Sequence, residues 1–194
     1  MIRVILLTIG AVFTVLAVPA LPAQSLAEKE TTLQIQLTLQ RLPYYGVFDS
    51  LAFSLDRGTV TMTGFAFRES LKSDVDEALR RVAGVDTVNN RIEVLPASPN
   101  DDRIRWATFY SIYTDDFLSR YSPGGASGAL YELRSAAGFP GMQPLGPYPI
   151  HIIVKGGRTT LVGLVGNASD KLLAGVRARE VTGVFEVTND LVVQ

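Results

Sequence analysis

The sequence predicts an α+β protein of two tandem αββαβ units, each a three-stranded mixed sheet with two helices packed on one face. Three observations predict it. The phrase GVDTVNNRIEV at 84–94 returns as GVFEVTNDLVV at 183–193, ninety-nine positions later. Without a gap, that offset also lays Gly58 on Gly157, Gly64 on Gly163 and Asn90 on Asn189. Within each copy, apolar residues alternate, then recur at helical spacing, then alternate again. Agreement at many positions in one register marks an internal duplication.

The first 23 residues, MIRVILLTIGAVFTVLAVPALPA, carry one charge at Arg3, an apolar run over 4–18 and small residues at Ala20 and Ala23. This layout predicts a secretory signal peptide over 1–23, cleaved after Ala20 or Ala23. A retained anchor is the rival reading. A bilayer span needs about 20 apolar residues, and Pro19 and Pro22 close this run early.

The first unit is expected over 30–95. Its opening element, TTLQIQLTLQRL at 31–42, is ambiguous. Leu33, Ile35, Leu37 and Leu39 alternate like a strand, whereas leucine and glutamine favour helix. Correspondence with the second unit decides for a helix. LAFSL (51–55) and TVTMTG (59–64) then form a hairpin closed by Asp56-Arg57-Gly58. A helix capped by Glu69 or Ser70 follows, with Leu71, Val75, Ala78, Leu79 and Val82 on its apolar side and Gly84 as its stop. Val88, Ile92 and Val94 alternate as the third strand.

PASPN at 96–100 reads as a short linker, and the second unit as 101–194. DDRIRWATFYSIYTDDFLSRY at 101–121 suits a helix capped by Asp101 or Asp102. An insertion over 122–149, with six glycines and five prolines, has no counterpart in the first unit. It is expected to run over the surface with one helical turn in SGALYELRSAAG at 127–138. Ile150, Ile152 and Val154 form the next strand, Gly156-Gly157 the turn, and TTLVGLV at 159–165 the return strand. The last helix starts at Ser169 or Asp170, buries some of the residues Leu172, Leu173, Val176 and Val181, and stops at Gly183.

Little in the chain suggests bond-making chemistry. The absence of cysteine excludes disulfides, thiolate metal sites and a cysteine nucleophile. A net charge of −1 gives no field favouring nucleic acid. The single histidine, His151, aligns with Ala52, and reads as a surface or interface strand residue. The pairs Asp101-Asp102 and Asp115-Asp116 read as caps or solvated faces. No nucleophile elbow, phosphate loop or zinc helix appears. The expectation is a non-enzyme with no cofactor and no metal.

Two features suit binding. Aromatic residues gather in LPYYGVF at 42–48 and along the 101–121 helix, where Trp106, Tyr110 and Tyr113 are candidates for a membrane or protein contact. Packing on the sheet is the competing explanation for them. Lys155, Arg158, Lys171, Arg177 and Arg179 concentrate in the second unit's hairpin and helix, either as a lipid- or partner-binding patch or as a solvated face.

The order helix–strand–strand–helix–strand, the hairpin glycines Gly58 and Gly157, VTMTG and TLVG on the second strands, and GVDTVNN and GVFEVTN at the third resemble the BON domain, named for bacterial osmotic-shock and nodulation proteins. The resemblance covers about 30–95 and 101–194. It implies an exported protein of the periplasm, peripheral on the outer or inner membrane, that binds anionic phospholipid and supports envelope integrity or stress tolerance. The alternative it leaves open is a periplasmic chaperone or interaction module for exported or outer-membrane proteins.

Overall fold

The computed structural model describes residues 23–136, 139 and 141–194. The expected signal peptide lies outside the described residues except for Ala23. In the first unit the order is α1 (Ala23–Gln40), β1 (Ser50–Asp56), β2 (Thr59–Ala66), α2 (Glu69–Leu79), β3 (Thr87–Asn90) and β4 (Glu93–Val94). β2 is central, antiparallel to β1 and parallel to both β3 and β4. β3 and β4 are one strand path broken at Arg91-Ile92, where Arg91 N donates to Met62 O at 2.9 Å and keeps the register.

The second unit repeats the plan with α3 (Pro99–Tyr113), α4 (Gly125–Ala136), β5 (Ile150–Lys155), β6 (Arg158–Val165), α5 (Ala168–Arg179) and β7 (Glu186–Val193). β6 pairs antiparallel with β5 and parallel with β7. Both units therefore have the predicted αββαβ order and mixed sheet, with α4 added between α3 and β5.

Local chemistry explains the elements. α1 is a helix although its apolar residues alternate. Thr31 and Ile35 are buried and Leu39 is partly buried, a spacing of four that forms one helical stripe, while Leu26 and Leu33 point away from it. Both hairpins have two-residue loops in which each residue has positive φ: Arg57 (45°) and Gly58 (77°), then Gly156 (58°) and Gly157 (73°). That is the turn whose twist matches the flanking strands. Gly64 and Gly163 are needed for another reason. A Cβ on either would lie 2.0 Å from a carbonyl oxygen, of Ser50 or Pro149 respectively.

Several expected caps are placed differently. α2 has Arg68 at its N-cap with no side-chain cap, and Glu69 lies in its first turn. α3 begins at Pro99, inside the expected linker, because Ser98 accepts from Asp101 N at 3.2 Å and proline suits the first helical position. Asp101 is freed to accept from the N–H groups of Gly156 and Gly157, both at 2.9 Å, and so fastens the helix to the second hairpin. α5 is capped by Asn167, which accepts from Asp170 N at 2.8 Å.

The insertion is more ordered than expected. α4 extends over 12 residues rather than one turn and packs on α3 with Ala129 buried. Gln143 and Tyr148 are buried too. The reason is that the insertion meets the first unit. Val47 N donates to Pro144 O at 3.1 Å, and Val47 O accepts from Ile152 N at 2.8 Å. A turn in the α1–β1 loop, closed by Asp49 N donating to Gly46 O at 3.2 Å, thus covers part of the outer edge of β5. Val47 and Phe48 belong to the second unit's core, beside Ile104, Phe109, Ile152 and Leu161. Phe48 meets Trp106 edge-on at 5.5 Å and Phe67 at 5.6 Å between ring centroids.

Candidate lipid-contact surface and the junction between the units

The residues expected to form a binding patch do not all share one place. Trp106 and Tyr113 are core residues. Trp106 packs on Phe48 and Phe109. The Tyr113 hydroxyl donates to Ile150 O at 2.5 Å and accepts from Ile150 N at 3.2 Å, tying α3 to β5. Burial pushes its hydroxyl well above the usual tyrosine range. Only Tyr110 of the three is exposed, at 46%. Aromatic spacing along α3 was chiefly a core signal, as expected for a helix lying on a sheet.

The basic residues divide similarly. Lys155 pairs with Glu93 of the first unit. Arg158 pairs with Glu186 at 2.9 Å. Arg177 is held on the α3 side by Asp115 at 2.8 Å and by Glu180 at 3.0 Å. Lys171 and Arg179 have no carboxylate partner among the described residues.

Arg179 lies three residues beyond Val176, on the side of α5 that carries an exposed apolar strip, and Lys171 precedes Leu172 on the side nearer the sheet, half-buried. Leu172 is 70% exposed and Val176 43% exposed, four residues apart on the outer side of α5. Phe185, beyond the end of the helix, is 81% exposed and shares a shallow depression with Arg179 and Val184. Of the four apolar residues from which this helix is expected to bury some, Val181 is buried and Leu173 packs against the core, while Leu172 and Val176 stay outside. α5 approaches the sheet through Ala174, Gly175 and Ala178, all buried. A Cβ on Gly175 would stand 2.8 Å from the Asn189 side-chain nitrogen. Small residues bring the helix axis close to β7 and leave the larger ones outside. The signal was present in the sequence as the small residues Ala174, Gly175 and Ala178, spaced one and then three apart.

The junction between the units concentrates buried polar groups. The Asp49 carboxylate accepts from Gly46 N at 2.9 Å, Phe67 N at 2.6 Å and the Gln143 side-chain amide at 2.6 Å. Burial nevertheless pushes its carboxyl above the ordinary range. Arg105 is buried as well. It pairs with Asp102, donates to Val154 O at 2.6 Å and stacks its guanidinium 5.2 Å from the Phe67 ring centroid. His151 lies at this junction, the interface position expected for it. Its Nδ1 is 3.2 Å from Gly46 O and its Nε2 is 3.4 Å from the Tyr45 hydroxyl. Each of these groups is used in holding the two units together. Among the described residues, no group of three or more metal-ligating side chains is gathered, and no helix is long and apolar enough to cross a membrane.

A family model described as the BON domain matches residues 49–96 and 137–194, more than half of the chain. No curated protein matches it. Among solved structures, the chain is similar to CdsD, described as a structural protein of the Type III secretion system of Chlamydia trachomatis. That match has 13% identity and a TM-score of 0.28, and covers 85% of this chain and 92% of that one. A second structure, the C-terminal domain of CdsD, has 14% identity and a TM-score of 0.26, and covers 84% and 96%. At those scores the likeness carries no argument about this protein.

Proposed function

The chain belongs to the BON domain family, and from that premise we propose that it is a non-enzymatic envelope protein that attaches reversibly to anionic phospholipid surfaces and supports envelope integrity under stress. One observation carries the reading: Leu172, Val176 and Phe185 are exposed beside Lys171 and Arg179, two cations free of carboxylate partners among the described residues. Apolar side chains entering the headgroup layer and cations meeting anionic lipid act together in interfacial attachment. Each cation near an anionic surface contributes about 1 kcal/mol, and salt weakens that share. Attachment of this kind is weak and salt-sensitive. Flotation with phosphatidylglycerol-containing vesicles, against phosphatidylcholine vesicles, tests it at low and high salt. Equal recovery with both lipids, or none with either, defeats the reading.

A second reading is an interaction module for exported proteins. It is favoured by the apolar rim beside the junction, where Tyr44, Phe139, Met142 and Leu145 are all exposed. Suppression of client aggregation that survives loss of Lys171 and Arg179 selects it over the lipid reading.

A further inference from the structure

One part of the contact between the units is a short segment held by the His151 ring. Tyr45–Asp49 covers the edge of β5 through the Val47–Ile152 bond and fills the aromatic core with Phe48. His151, on β5, holds that segment from below. One ring nitrogen meets Gly46 O and the other the Tyr45 hydroxyl, and the two rings are 5.2 Å apart. The geometry fits a neutral ring whose Nδ1–H donates to Gly46 O and whose Nε2 accepts from Tyr45. A proton on Nε2 reverses that bond, with Nε2–H donating to the Tyr45 oxygen, and puts a charge in a largely buried place beneath the segment.

We propose that the junction is a pH-sensitive clasp, in which protonation of His151 releases the Tyr45–Asp49 segment from the edge of β5 while both units stay folded.

The charged and titratable surroundings of the ring are few. Tyr45 faces it from the α1–β1 loop, and Tyr148 from the insertion along the same groove. Asp49 stands behind Gly46 and feels Arg68 from the β2–α2 joint. β6 offers Val162 as the paired residue, and Lys155, further along β5, is engaged by Glu93. Burial lowers the proton affinity of His151 below that of a free imidazole. The closed state therefore prefers the neutral ring. Its advantage is complete above about pH 6.5 and is lost as pH falls below that value. Asp49 acts in the opposite sense, because its buried carboxyl takes up a proton more readily than a free one. Loosening thus stops growing where Asp49 begins to titrate.

The chain has one tryptophan and one histidine, which makes the test direct. Trp106 is buried against Phe48 and reports opening by a red shift of its emission. The tag-free full chain is titrated from about pH 8 to 4.5, following Trp106 emission, far-ultraviolet circular dichroism and the His151 ring protons by nuclear magnetic resonance, across a window set by an imidazole reference near 6.5. The expected result is a red shift below about pH 6.5, with the open-to-closed ratio rising by up to about tenfold per pH unit and the dichroism unchanged. Its midpoint coincides with the His151 titration, and His151→Gln abolishes the pH dependence. No shift, a shift whose midpoint departs from that of His151, a pH dependence that persists in His151→Gln, or loss of dichroism with the shift overturns the proposal. The midpoint comparison on the parent chain decides even where the variant does not fold.

Discussion

Asn189 donates its side-chain amide across from β7 to the carbonyl of Lys171 on α5, at 2.7 Å. Ninety-nine residues earlier Asn90 makes the same bond to Lys72, at 2.8 Å. In each unit the asparagine oxygen also accepts the N–H two residues on, from Leu191 at 3.4 Å and from Ile92 at 3.2 Å. The repeated asparagine therefore fastens the third strand to the second helix. Replacing either by alanine removes the strand-to-helix bond, although the helix carbonyl keeps its bond within the helix, and leaves a strand N–H without its partner. Asn90→Ala and Asn189→Ala should each lose about 1–3 kcal/mol, read from urea unfolding midpoints.

Gly64 and Gly163 have φ of 110° and 133°, and a Cβ on either would meet a carbonyl oxygen at 2.0 Å. Strain and clash act together there, and the obstruction is backbone that cannot turn aside. Gly64→Ala and Gly163→Ala should each cost more than the roughly 1–3 kcal/mol of backbone strain alone. Thermal melting measures it, and Gly125→Ala is the comparison, since a Cβ there meets nothing within 4 Å.

Phe48 belongs by sequence to the first unit and by packing to the core of the second. Phe48→Ala should therefore lower the stability of both units, by about 3–5 kcal/mol in all. The parent should unfold in one cooperative transition, with Trp106 emission and circular dichroism coincident. Two separated transitions in the parent would show that the units do not share a core.

Lys171→Glu with Arg179→Glu should reduce recovery on anionic vesicles by on the order of tenfold or more, since each cation contributes about 1 kcal/mol. Phe185→Ser should weaken attachment on the same vesicles with less dependence on salt. Arg57→Glu, at the tip of the first hairpin, should leave flotation unchanged.

Asp170 is buried, which alone would push its carboxyl up, but the Tyr121 hydroxyl, Arg120 and Asn167 together hold it below the ordinary range. A carboxyl lowered on folding adds stability above the unfolded value, near pH 4, and loses it as pH falls through the folded value. Asp170→Asn should be less stable than the parent at neutral pH, with the gap closing below about pH 4. Melting temperatures from about pH 7 to 3 check this, because they span the carboxylate range.

Much of the fold was legible in the residues. The offset of ninety-nine located both hairpins, both terminal strands and the glycines that shape them. Less of the candidate site was. The strip on α5 was hidden because Leu172 and Val176 carry an apolar signal that helical spacing alone assigns to the core. Ala174, Gly175 and Ala178 gave the helix its close approach to β7 and displaced the larger residues outward. Trp106 and Tyr113 misled in the opposite direction, since aromatic content does not say which side of a helix faces the sheet.

The chain by itself determined the duplicated αββαβ plan, the two-residue turns and the third strand that follows each helix, because these depend on local backbone preference and periodicity. Tertiary structure alone decided that Val47 and Phe48 complete the neighbouring unit, that Arg177 and Lys155 are neutralised by Asp115 and Glu93, and that Lys171 and Arg179 are left without such partners among the described residues. The physical reason is that pairing and burial depend on which groups meet in space. Asp115 is 62 positions from Arg177 and Gln143 is 94 from Asp49, separations across which no local pattern extends.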